Sequence, residues 1–149
     1  MITIARDPKE LLTSEISMRA FYDKTILDKI QTTKWTESVL DNFNTYLSGI
    51  DNMTLIDRFD IVIDYRDLIA FPLETTKTVC DMIGLEINNE VYVDNLKDYT
   101  EHNHILSSKK VQEYDQISQY VSTLDLTEMY KFYNALLAKC IGVTGILKS

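Results

Sequence analysis

Three β-branched residues in a row, Ile61-Val62-Ile63, stand between Asp60 and Asp64-Tyr65. The run is too short for a helix and is bounded by charge, so it predicts a strand over 60–65. A turn over 66–71 then leads to Pro72, which suits the first position of a helix. Val79, Cys80, Met82 and Ile83 give that helix an inner face, and Gly84 is placed to end it as the residue after the cap. The same order occurs at the start of the chain. Ile2-Thr3-Ile4-Ala5 reads as a short strand, followed by Asp7 as N-cap, Pro8 at the first helical position and Glu10 three residues after the cap. The helix it opens turns Leu11, Leu12, Ile16 and Phe21 inward. Two strand–turn–helix units predict a helix-rich α/β fold, a short parallel sheet flanked by amphipathic helices.

Helices fill most of the remainder. Ile26, Leu27 and Ile30 either extend the first helix or begin another, before Thr32-Thr33 interrupts the pattern. From Thr36, apolar residues at Val39, Leu40, Phe43, Tyr46 and Leu47 trace one helix face, with Gly49 as its stop. Residues 86–106 lack steady periodicity and read as loop, with Val91-Tyr92-Val93 as a short extended piece. Ser107 or Ser108 is suited to cap a helix with Val111, Tyr114, Ile117 and Val121 inside. Asp125 and Glu128 have capping-box spacing. The last helix is predicted to turn Met129, Tyr130, Tyr133, Leu136, Leu137 and Cys140 inward.

The 149 residues suit one domain over 1–149, long enough to bury a core, and no linker rich in Pro, Gly or Ser divides them. With 15 basic and 23 acidic side chains the net charge is −8, which disfavours broad nucleic-acid binding. That balance leaves room for one small anion in a local basic pocket. No apolar stretch reaches the length of a membrane span or of a secretory leader. Cys80 and Cys140 both sit in helical apolar patterns, which predicts buried thiols and a reducing, cytoplasmic compartment.

Arg6 falls in the first strand-to-helix turn, where unpaired helical N–H groups and the helix dipole favour an anion. Its planar donor fork suits phosphate oxygens, and Ser14 follows two turns into the helix. The plainer alternative is that Arg6 pairs with a surface carboxylate and Ser14 has no special role. His102 and His104 flank Asn103, but no third or fourth metal ligand of suitable spacing accompanies them, and they read as loop residues. No metal is expected. No Gly-x-Ser-x-Gly nucleophile is present either.

The stretch from Ile2 to Ser14 resembles the sulfotransferase motif that holds the 3′-phosphate of 3′-phosphoadenosine 5′-phosphosulfate. In that family a strand ends in Arg-Asp/Asn-Pro and a serine follows the arginine by eight positions, as Ser14 follows Arg6. A second stretch, Ile61 to Leu68 with Pro72 and then Val79 to Leu85, is similar to the family's strand, Tyr-Glu-Asp-Leu turn, proline and glycine-ended helix. Arg66 replaces the usual acidic residue there. Trp35 fits a family habit of placing tryptophan in the middle helical region. The resemblance covers Ile2 to Leu85 and implies part of a P-loop-type sulfotransferase fold. Arg6 and Ser14 would then be ligands to that donor or to adenosine 3′,5′-bisphosphate. Ser107-Ser108-Lys109-Lys110 is a further candidate anion contact through Ser108 and Lys109, with an N-cap and solvated lysines as its plainer reading.

One departure matters most. The family's Gly-rich loop around the 5′-phosphosulfate has no counterpart among Gly49, Gly84, Gly142 and Gly145. Without that loop and its lysine, charge developing in sulfuryl transfer lacks its stabilising donors. The resemblance therefore implies a truncated or split sulfotransferase-like protein, inactive alone, that keeps a 3′-phosphate site and needs a partner chain to complete the fold. The alternative is a non-catalytic interaction module on the same half-fold, associating as a homo-oligomer through an exposed sheet edge.

Overall fold

The computed structural model describes residues 1–30, 32–48, 52–95 and 113–142. The fold is helix-rich with one short, three-stranded, all-parallel sheet. It divides into two compact units: a sheet unit of Met1–Arg6, Leu55–His104 and Tyr133–Ser149, and a helical unit of Asp7–Thr54 and Ile105–Phe132.

In the sheet unit, β1 (Ile2–Ala5), β2 (Ile61–Asp64) and β3 (Cys140–Ile141) lie in that spatial order. The register pairs Ile2 with Ile61, Ile4 with Ile63 and Ala5 with Asp64; Ile63 in turn pairs with Ile141. The central strand β2 is buried along its whole length, as a strand paired on both sides should be. One sheet face carries Ile61, Ile63 and Ile141, and Leu68 and Val79 from the following helices pack against it. β3 corrects an expectation. Cys140 continues the apolar spacing of the last helix, yet that helix ends at Leu137 and Cys140 begins a strand beside Val62.

Two helices follow β2. The turn predicted over 66–71 is instead helix α5 (Tyr65–Ala70), because the Asp64 carboxylate accepts the Arg66 backbone N–H at 2.9 Å and caps it. Phe71 N–H then bonds Asp67 C=O at 2.7 Å. Pro72 opens α6 (Pro72–Met82) as predicted. Gly84, at φ 72°, closes it in a Schellman motif: Leu85 N–H bonds Cys80 C=O and Gly84 N–H bonds Asp81 C=O. Met82 and Ile83, predicted to face inward, are exposed beside that cap, so the inner face is narrower than the apolar pattern. Residues 89–95 form helix α7, not the extended piece predicted at Val91–Val93. The Asn88 side chain accepts the Val91 N–H and caps it, and the Tyr92 hydroxyl docks on Pro72 C=O at 3.0 Å and on Thr76. Lys139 donates to Ile56 C=O at 2.7 Å, near the end of α4 (Asn52–Asp57). Neither cysteine is in a disulfide; Cys140 is buried and Cys80 half-buried.

The helical unit holds α1 (Pro8–Tyr22), α2 (Thr25–Lys29), α3 (Thr33–Ser48), α8 (Tyr114–Val121) and the first half of α9 (Thr127–Leu137). Its core joins Leu12, Ile16 and Ala20 of α1 to Ile30, Ile117, Val121, Leu126 and Met129. Leu11 and Phe21 were expected inside and are exposed. The buried stripe of α1 runs instead through Leu12, Thr13, Ile16, Ser17 and Ala20. Thr13 enters the core because its hydroxyl is satisfied by Lys9 C=O at 2.7 Å, and small side chains there let α8 pack closely. Trp35, Val39 and Leu40 line the same core from α3. At α9, Asp125 accepts from the Thr127 N–H and hydroxyl while Glu128 pairs with Lys131, so the expected capping box is an Asp–Thr cap. Gly49, Val111, His102, His104 and the Ser107–Lys110 stretch lie outside the described residues, as do the side chains of Phe43, Tyr46 and Leu47.

Candidate functional site

The candidate site is built at the carboxyl end of the sheet. Parallel strands share one direction, so β1 and β2 deliver their next residues to the same edge. Ala5 and Asp64 are register partners, which sets Arg6 beside Tyr65. The Arg6 guanidinium carbon lies 4.2 Å from the centroid of the Tyr65 ring, a cation–π contact of about 0.5–1 kcal/mol for a half-exposed group. Among the described residues Arg6 makes no ion pair with a carboxylate, the plainer alternative that the sequence left open. Its Nε is buried without a hydrogen-bond partner. A buried N–H left unmet costs about 1–3 kcal/mol, so it calls for an acceptor.

Arg66, one residue beyond Tyr65, is used differently. Its Nε and Nη2 donate to the two oxygens of Asp64 at 3.1 and 2.8 Å. Asp64 is only 2% exposed, and the same carboxylate caps α5. Hydrogen bonding to Asp64, followed by that carboxylate's charge, holds the Arg66 guanidinium still more firmly protonated than usual.

The remaining sequence candidates are placed apart or not at all. Ser14 is half-buried on α1 and belongs to the helical unit, whereas Arg6 belongs to the sheet unit. Ser108 and Lys109 lie outside the described residues. Tyr65 is a site residue that the sequence marks only by its position at the end of a strand. Among the described residues no group of three His, Cys, Asp or Glu side chains could hold a metal ion. No helix among them is long and apolar enough to cross a membrane.

Chemically, this edge offers the Arg6 guanidinium over the Tyr65 ring, its Nε without a partner, and at the end of the adjacent strand a second guanidinium clamped by a buried carboxylate. Such an arrangement can bind an oxyanion. No protein-family model, curated protein or solved structure matches the chain.

Proposed function

We propose that the carboxyl edge of the sheet binds a phosphoryl anion through Arg6. We further propose that the ligand is the 3′-phosphate of an adenosine nucleotide, 3′-phosphoadenosine 5′-phosphosulfate or adenosine 3′,5′-bisphosphate. One observation carries the reading: the buried, unpartnered Nε of an arginine stacked on Tyr65, at the end of a parallel strand. Ligands of open α/β sheets bind outside the carboxyl ends of the strands, and an arginine without a counter-ion there is matched to an oxyanion. The nucleotide itself comes from the sulfotransferase resemblance of the Arg6-Asp7-Pro8 and Tyr65-Arg66-Asp67-Leu68 motifs. With four glycines and no Gly-rich phosphate loop in the sequence, the proposal is one of binding, not of sulfuryl transfer by this chain alone.

Thermal melts with adenosine 3′,5′-bisphosphate test it. A ligand at 100 times its dissociation constant adds about 2.7 kcal/mol of stability, and adenosine alone should add none. Arg6→Gln should abolish the shift; an undiminished shift in that variant refutes the site.

A second reading has an observation of its own. Ile2 and Ile4, on the edge strand β1, are 44% and 46% exposed, on the face that is apolar in β2 and β3. An interaction module that self-associates through this edge would cover them. Light scattering behind a sizing column tests it: Ile4→Lys should turn an oligomer into a monomer, and a wild-type monomer removes this reading.

A further inference from the structure

We propose that Arg66 is a second donor to the anion held at Arg6, an inference that rests on the binding reading above. The argument is geometric. The pairing of Ala5 with Asp64 brings Arg6 and the Tyr65-Arg66 pair to the same end of adjacent strands. A guanidinium has five N–H donors in a rigid plane. Arg66 spends one edge, Nε–H and one Nη2–H, on the two oxygens of Asp64. Its other fork, the parallel Nη1–H and Nη2–H pair at the tip, makes no hydrogen bond among the described residues, and the side chain is 67% exposed.

The carboxylate that holds Arg66 is buried and tied to the backbone of α5, so the free fork is oriented before any ligand arrives. Asp64, then Tyr133 and Asp67, lie near Arg66, and the two carboxylates offset its charge. What Arg66 adds is therefore a directed pair of N–H groups more than net positive charge. That distinguishes an arginine from a lysine at this position, because an ammonium has no planar fork. The ligand class is a tetrahedral oxyanion with several acceptor oxygens, a phosphoryl group either free or on a nucleotide.

The test uses the full chain, titrated with inorganic phosphate and with adenosine 3′,5′-bisphosphate. Affinity is read by calorimetry, and the arginine side-chain N–H signals by nuclear magnetic resonance. Arg66→Gln and Arg66→Lys should each weaken phosphate binding about tenfold, equivalent to about 1.4 kcal/mol. In the wild type the Arg66 tip signals should move with phosphate and not with equal chloride, a response that a purely structural arginine would not give and that needs no variant to fold. Tighter binding of the bisphosphate than of phosphate would make the nucleotide the source of the anion; equal affinity would make it the free anion. Should Arg6→Gln abolish binding while Arg66→Gln changes only the melting temperature and the tip signals stay still, Arg66 is merely an anchor for Asp64 and this inference falls alone. Absence of any binding to the wild type removes the parent reading as well.

Discussion

The Tyr130 hydroxyl donates to the Asp7 carboxylate at 3.1 Å, joining residues 123 positions apart in the sequence. The same carboxylate accepts the Glu10 N–H at 3.1 Å as the N-cap of α1. One side chain thus serves both a local cap and a long-range contact. Asp7→Ala should cost about 1–2 kcal/mol for the cap, with a further loss for the broken Tyr130 hydrogen bond. Tyr130→Phe should cost less than Asp7→Ala. Chemical denaturation of both variants checks the order; equal losses would show that the cap adds nothing to the Tyr130 bond.

The Arg6–Tyr65 stack predicts a split between two aromatic-site variants. Tyr65→Phe keeps the ring face and should retain stability within about 0.5 kcal/mol, whereas Tyr65→Ala should lose about 0.5–1 kcal/mol beyond its lost packing. If the anion site is at Arg6, Tyr65→Ala should also weaken adenosine 3′,5′-bisphosphate several-fold. Calorimetric titration of the two variants separates the effects.

Gly84 supplies a clean test of backbone conformation. Its φ of 72° closes the Schellman motif of α6, and an added Cβ would meet nothing within 4 Å. The cost of Gly84→Ala is therefore conformational and not steric, about 1 kcal/mol. Denaturation midpoints should fall accordingly with an unchanged m-value.

The Asp125 cap sets a pH dependence. The Thr127 hydroxyl first, and the Thr127 N–H second, hold the Asp125 carboxyl below the usual carboxylate range. A carboxyl depressed in the folded state binds fewer protons there than in the unfolded chain. Its contribution is thus present above the unfolded value, near pH ~3.9, and is lost as pH falls through the folded value. Asp23 follows the same sign, lowered first by the Thr25 hydroxyl and then by the Thr25 N–H. Melting curves from pH 5 to pH 2.5 should show Asp125→Asn losing less stability on acidification than wild type. Parallel curves would show that the cap does not titrate with folding.

Local chemistry declared itself wherever it acts within a few positions: the Asp7-Pro8 start of α1, the Ile61–Ile63 strand, the Pro72 start and Gly84 end of α6, and the Val39 and Leu40 face of α3. Each depends on fixed dihedrals, missing donors or side-chain period. The apolar stripe of α1 misled where Thr13 and Ser17 went inside and Leu11 and Phe21 stayed out, because burial is decided by the helix that packs opposite. Val91–Val93 misled in the same way, since β-branched propensity is weaker than an Asn88 cap and a docked Tyr92 hydroxyl.

By itself, the sequence determined the alternation of strands and helices, the main helix starts and stops, and the position of Arg6 just past a strand. All follow from short-range steric and hydrogen-bonding preferences. Only the tertiary structure decided that Cys140 leaves a helix to join β2, that Tyr65 lies under Arg6, and that Asp64 is the buried anchor of Arg66. Those outcomes depend on strand order and register, which bring together residues whose separation along the chain carries no local signal.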